Sequence, residues 1–315
     1  MPTLQQGSAG DAVRDLQRKL NKIIDAGLKV DGQFGPATTR AVRMYQARID
    51  QLAVDGIVGP QTMDSIDRLY AQYADQCDKI YKGKFAVFVD AGHGGLDDNG
   101  RYVTPGKRAN HGGIHLHDER GNYYEGHENR IVAAMFMDAC ADAGIPCIPI
   151  YHPYKDKPLG TRSELVTSYV RRGYAGYLHS FHSNAISSKN SAEKLESTKG
   201  YMVFSTLGNN FSDQIATKQF ENVKVATNNQ WTYRTQMHPD GDVDYEVNFQ
   251  ILRETDLVDF PFFGAILSEW GFHTSKDDTL RNIIGRREQR VEAAVETAKW
   301  VHEHWKKQSQ AIKAT

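Results

Sequence analysis

The segment FAVFVDAGHGG, residues 85–95, constrains the fold of this chain more than any other. A short, unbroken apolar run that ends in glycines is typical of a strand buried on both faces of an α/β sheet. Helical and strand patterns then alternate, with helices predicted in ENRIVAAMFMDACADAG and RSELVTSYVRRG and strands in IPCIPIY, YLHSFHS, GYMVFS and GAILSEW. A closing helix is marked by Val291, Ala294, Val295, Ala298 and Trp305. The predicted fold class is α/β, with a mixed, largely parallel sheet flanked by helices.

An internal repeat dominates the first seventy residues. VDGQFGPATTRAV begins at Val30, and VDGIVGPQTMDSI begins at Val54. In each copy an Asp-Gly turn is followed by a proline where a helix should start. Residues 11–24 carry apolar side chains at helical spacing ahead of these turns. A small three-helix bundle is therefore predicted before the sheet.

Composition limits the partners of the chain. Its 315 residues carry 38 Lys and Arg against 39 Asp and Glu, so the size suggests two domains and the charge balance argues against a nucleic-acid binder. No apolar stretch reaches membrane-spanning length, and the start MPTLQQGSAGD lacks the pattern of a secretion signal. We expect no membrane span and no export by the common route. Cys77, Cys140 and Cys147 are interpreted as reduced core thiols.

Ionisable residues end three of the predicted strands, at His93, His182 and Glu269, and Glu125 begins the helix that follows the His93 loop. Open α/β sheets bind ligands at the carboxyl ends of their strands. Two imidazoles and a carboxylate form the ligand set of a catalytic zinc ion, and His93, Glu125 and His182 fit that set. Taken singly, each has a simpler explanation, as a hydrogen-bonding loop histidine or a glutamate favoured by the helix dipole.

Other groups compete for these roles. The segment NHGGIHLHD contains His111, His115 and His117, of which the last two are an alternative second metal site. Asp90 either orients a metal ligand or only satisfies backbone donors at its strand end.

DAGHGG, EGHEN, HSFHSN and ILSEWGF resemble, in this order, the motifs of the type-3 N-acetylmuramoyl-L-alanine amidase family over residues 86–305. The resemblance implies that His93, Glu125 and His182 bind one zinc ion and that Glu269 is the catalytic glutamate. It favours Glu125 over Glu128, and His182 over His179. Thr274 and Ser275 depart from the usual Ser-Asn after the last motif.

LQQGSAGDAVRDLQRKL and the two Asp-Gly turns resemble the peptidoglycan-binding three-helix domain of cell-wall hydrolases over residues 4–69. The expected organisation is a peptidoglycan-binding domain at 1–75, a linker at 76–84, a zinc-dependent amidase domain at 85–308 and a tail at 309–315. The segments 97–122 and 186–245 are interpreted as enlarged surface loops.

The expected function is hydrolysis of the amide between N-acetylmuramic acid and L-alanine in peptidoglycan, by a monomer. The alternatives are a zinc peptidase that cuts within the stem peptide and an inactive wall-binding protein. The domain order and the missing leader resemble phage endolysins, which would act from the host cytoplasm on the wall after membrane disruption. A bacterial autolysin or an exported effector is the other setting.

Overall fold

The computed structural model describes residues 3–24, 26–48, 52–68, 70, 84–112, 114–207, 210–236, 243–255 and 263–313. Cys77 and residues 76–83 of the predicted linker lie outside this part of the chain. Within it, no helix has the length and apolar character that a membrane span requires.

The N-terminal region is the predicted three-helix bundle. Its helices are α1 (Asp11–Ile24), α2 (Pro36–Arg48) and α3 (residues 60–68), and a proline begins both α2 and α3. Their apolar faces pack into one core, in which the apolar positions predicted on α1 lie with Phe34 of the repeat and with Tyr45. The core contains Leu4, Val13, Leu16, Leu20, Ile23, Phe34, Val42, Tyr45, Val58 and Ile66.

One buried glutamine holds the first copy of the repeat. The side-chain amide of Gln17 donates to Asp31 Oδ1 at 3.0 Å and to the carbonyl of Gln33 at 3.0 Å. In return, the backbone N–H of Gly32 donates to Gln17 Oε1 at 2.9 Å. The Asp-Gly turn is therefore fixed to α1 through both ends of one amide.

The second copy repeats this arrangement with Gln46 on α2. Its amide donates to Asp55 Oδ1 at 2.8 Å and to the carbonyl of Ile57 at 2.9 Å, and the N–H of Gly56 donates back at 2.8 Å. The sequence repeat is thus also a repeat of hydrogen bonds, because each helix holds the turn that follows it.

Replacement of Gln46 tests this role. Gln46→Met keeps the side-chain volume but leaves the buried N–H of Gly56 and the carbonyl of Ile57 without their partner, which should lower the free energy of unfolding of the bundle by about 2–3 kcal/mol. Urea denaturation of the full chain measures the loss in free energy of unfolding. Hydrogen exchange at residues 55–58 measures the loss of protection in the turn. The control is Gln5→Met, because the Gln5 side chain is exposed. Equal protection of the turn in both variants would contradict the account.

The C-terminal region contains a six-stranded sheet. Its strands are β1 (Lys84–Ala91), β4 (Cys147–Pro149), β5 (Tyr174–Asn184), β6 (Tyr201–Ser205), β7 (Tyr245–Glu246) and β8 (Phe263–Phe272). They lie in the order β4-β1-β5-β8-β6-β7. β4, β1, β5 and β8 are parallel, β6 runs antiparallel to β8, and β7 pairs parallel with β6. The predicted fold class is confirmed.

Helices cover both faces of this sheet. The helices are α4 (Glu125–Asp142), α5 (Leu159–Val170), α6 (Ala192–Ser197), α7 (Phe211–Ala226), α8 (Gln250–Arg253), α9 (Lys276–Asp278) and α10 (Arg287–Lys313), with a π-helix at Thr279–Ile284. The core on one face includes residues of α4, α7 and α10, and the core on the other includes residues of α5 and α8. α10 includes residues 309–313 of the predicted tail.

The two segments interpreted as enlarged loops contain regular structure. Residues 97–122 contribute to a hairpin in which β2 (Arg108–Asn110) pairs antiparallel with β3 (Asn122–Tyr124). The interpretation of 186–245 as largely loop was wrong, since it includes α6 and the sixteen-residue α7. Asn210 begins α7 with a capping box to Asp213, a local signal that the sequence already contained.

Candidate metal centre

Three side chains from separate elements meet at the carboxyl ends of β1 and β5. Glu125 Oε1 lies 3.3 Å from His93 Nε2 and 3.1 Å from His182 Nδ1. The ligand atoms of the three residues all lie within 4.8 Å of one another. The structure therefore brings together the three residues that were predicted as metal ligands.

His93 occupies a backbone conformation that few non-glycine residues adopt, with φ of 62°. Two residues of α4 hold this turn through hydrogen bonds to its backbone carbonyls. Asn129 donates its side-chain amide to the carbonyl of Gly92 at 3.2 Å, and the Arg130 guanidinium donates to the carbonyl of His93 at 2.8 Å. The helix that begins with Glu125 thus also fixes the backbone of His93.

Gly92 is required by close packing against the His182 ring. A Cβ atom at this position would lie 2.0 Å from Cε1 and 2.2 Å from Nε2 of His182. Since real Cβ atoms do not approach so closely, any larger residue must displace the imidazole. The glycine before His93 therefore provides the space for His182.

A buried chain of polar groups supports Glu125 from the side of β5. The backbone N–H of Ser183 donates to Glu125 Oε1 at 3.3 Å. The Ser183 hydroxyl lies 2.9 Å from the Tyr123 hydroxyl and 3.0 Å from His273 Nδ1. The sequence analysis assigned no role to these residues, although Ser183 lies within the HSFHSN motif and Tyr123 and His273 lie beside EGHEN and ILSEWGF.

Glu269 lies beside this cluster because it is the β8 partner of His182 in the sheet register. Burial and then the negative charge of Glu125 raise the pKa of Glu269 well above its usual range, and the positive charge of Lys107 opposes this rise. Burial would also raise the pKa of Glu125, but contacts with His182 and His93 hold it well below its usual range. Glu269 therefore binds a proton more readily than Glu125 does.

The competing carboxylates have structural partners. Glu128 accepts from Arg287 Nε at 2.8 Å and lies 3.2 Å from His117 Nε2. Asp90 accepts from Arg162 at 2.7 Å and from Ser180 at 2.6 Å, so it contacts these groups instead of a histidine ring.

The competing histidines also lie away from the cluster. His179 is buried on the opposite face of β5 and contacts Ser268 at 2.9 Å, and burial lowers its pKa to about 3. His111 contacts the carbonyl of His273 at 3.1 Å, and His115 is exposed. In the described part of the chain, the group with metal-ligand spacing is His93, Glu125 and His182.

The cluster opens into a cavity of about 290 Å³. Its wall includes the three candidate ligands and Glu269, together with the apolar side chains of Leu159, Phe249, Ile251 and Leu267. Two larger depressions, of about 530 and 500 Å³, lie between α4 and α10 and contain none of the four predicted site residues.

Comparison with known proteins gives separate results for the two regions. Residues 9–66 match the family model described as a putative peptidoglycan binding domain. The zinc D-Ala-D-Ala carboxypeptidase of Streptomyces albus G is 44% identical over 80 residues, which is 25% of this chain and 30% of that protein. The spore cortex-lytic enzyme of Halalkalibacterium halodurans is 40% identical over 65 residues, which is 21% of this chain and 19% of that protein. The chain thus spans less than a third of either relative.

The crystal structure of an N-acetylmuramoyl-L-alanine amidase from Clostridium difficile 630 superposes with a TM-score of 0.50 at 21% identity. The match covers 70% of this chain and 97% of that one. This chain has the amidase fold. At this identity the similarity shows the fold, and the chemistry of the amidase-fold region depends on its own side chains.

Gly92→Ala tests the packing of the ligand cluster. The added methyl group should displace the His182 ring and weaken zinc binding at least about tenfold, the order of effect seen when the support of a metal ligand is lost. Zinc affinity is measured by competition with a chromophoric chelator. Gly106→Ala is the matched control, since a Cβ there would meet nothing within 4 Å. Unchanged affinity in Gly92→Ala would show that His182 does not need this space.

Proposed function

We propose that this protein is a zinc-dependent peptidoglycan hydrolase that cleaves the amide between N-acetylmuramic acid and L-alanine. The observation that carries the proposal is the convergence of His93, Glu125 and His182 on one point, with Glu269 beside them in an open cavity. The amidase fold supports it, because the fold supplies the parallel strand ends at which His93, His182 and Glu269 lie, and Glu125 begins the helix beside them.

The donor set fits a zinc ion. Tetrahedral coordination with bonds of about 2.0–2.1 Å separates neighbouring ligand atoms by about 3.3 Å, close to the 3.1 and 3.3 Å from Glu125 Oε1 to the two rings. Glu125 Oε2 is buried and has no hydrogen-bond partner among the described residues. Two neutral imidazoles and one carboxylate are the set of a catalytic site that keeps a coordination position open.

A zinc ion held by these residues would lower the pKa of water and polarise the scissile carbonyl. Glu269 is positioned to take a proton from the attacking water and to give it to the leaving amine. Part of the raised pKa of Glu269 comes from the charge of Glu125. Neutralisation of that charge on metal binding would therefore return the pKa of Glu269 toward a value that suits a general base.

The N-terminal bundle would hold the enzyme on its insoluble substrate. Its match to a putative peptidoglycan binding domain over residues 9–66 supports this role. Attachment of one domain raises the effective concentration of the other at the wall, so each domain needs only moderate affinity. The phage-endolysin setting stays a prediction.

A peptidase that cuts within the stem peptide is the second candidate. Peptide hydrolysis needs the same activated water and the same base, and a zinc D-Ala-D-Ala carboxypeptidase is similar to part of this chain. The products on purified sacculi distinguish the two. A new amino-terminal L-alanine on the released peptide supports the amidase, whereas peptides that stay attached to muramic acid contradict it.

Glu269→Gln tests the proton-transfer role. The variant should keep its zinc and lose about a hundred- to ten-thousandfold in turnover on sacculi, because the amide cannot accept the proton. Zinc content by atomic absorption and release of soluble peptide are measured together. Glu193→Gln is the control, since Glu193 lies exposed on α6. Turnover of Glu269→Gln close to that of the unmodified protein would exclude Glu269 as the base.

A further inference from the structure

The charge of the cavity wall is uneven. Among the residues that line the described cavity, Lys107 alone carries a permanent positive charge, while Glu125 and Glu269 supply carboxylates. Lys107 belongs to the segment 97–122, which was interpreted as an enlarged loop and contains none of the motifs that resemble the amidase family. The hairpin of β2 and β3 brings this segment to the cavity.

The backbone of Lys107 is fixed to the candidate metal ligand. Its carbonyl accepts a hydrogen bond from the backbone N–H of Glu125 at 3.1 Å. It also accepts one from the Tyr102 hydroxyl at 2.9 Å, and that hydroxyl accepts from the N–H of Gly126 at 2.9 Å. The position of Lys107 is therefore set by the same helix start that carries Glu125.

The ammonium group of Lys107 is available for a ligand. Within the described residues it makes no hydrogen bond and no ion pair within 4.0 Å, although its charge acts on Glu269. The backbone of Lys107 is held while its side chain is exposed beside the cavity. A cation that lies beside the cavity and has no partner can attract an anionic group of a ligand.

We propose that Lys107 binds a carboxylate of the peptide part of the substrate and so sets a preference for acidic over amidated stem peptides. This inference rests on the proposed amidase function. In a muramoyl peptide the lactyl carboxyl group is consumed in the scissile amide, so the carboxylates near that bond belong to the peptide. The cation thus identifies the side of the cavity that receives the peptide.

Two muramoyl peptides of equal length test the assignment, one with a free α-carboxylate and one with a carboxamide on the residue after L-alanine. The unmodified protein should prefer the carboxylate substrate about tenfold in kcat/KM at low ionic strength, mainly through KM, and less in added salt. Lys107→Met should lose this preference, so that kcat/KM becomes equal for the two substrates. Because the Lys107 charge also acts on Glu269, a change in kcat that arises from the base is common to both substrates and does not affect their ratio. Arg108→Met is the matched control, because this adjacent cation does not line the cavity.

Binding without turnover provides a second readout. In a Glu269→Gln background, calorimetry should give about tenfold weaker binding of the carboxylate substrate when Lys107→Met is added, and no change for the carboxamide. Equal weakening of binding for both substrates in this Glu269→Gln background, or an undiminished kcat/KM preference in Lys107→Met, would overturn the assignment while leaving the amidase function intact. Failure of the unmodified protein to cleave either substrate would instead remove the proposed function, and this inference with it.

Discussion

The candidate site depends on one carboxylate oxygen. Glu125 Oε1 is approached by His93 from the β1 loop and by His182 and the Ser183 backbone from β5. A buried carboxylate is costly unless it is paired, so this oxygen draws its partners to one point. Because Glu125 begins α4, the position of its carboxylate depends on how this long helix packs against the sheet.

Much of this arrangement could be predicted from the sequence. Apolar runs that end in His93, His182 and Glu269 indicate parallel strands, and parallel strands bring their carboxyl ends to one edge. Alternation along β5 also separates His179 from His182, as the structure has it. The order of β1, β4, β5, β6 and β8 was predictable because each contains an apolar run that is bounded by glycine or polar residues.

The remainder depends on contacts between segments that are distant in sequence. The need for glycine at position 92 arises from the ring of a histidine ninety residues later, which no local pattern reveals. Lys107 lies in a segment with weak periodicity, and its relation to Glu125 is made by a backbone hydrogen bond. α7 was missed because its polar residues obscured the helical pattern, although its capping residues marked where it begins.

The two regions use different means to hold turns in place. In the N-terminal bundle a buried glutamine satisfies each Asp-Gly turn, whereas in the amidase-fold region Asn129 and Arg130 satisfy the turn at His93. In both, a side chain from a helix replaces the hydrogen bonds that the turn lacks. The central claim is that one zinc ion lies among His93, Glu125 and His182. Anomalous diffraction at the zinc absorption edge, from crystals grown with one equivalent of zinc, tests it directly. The account predicts a single strong peak among these three side chains, and a peak at any other site, with none here, would contradict it.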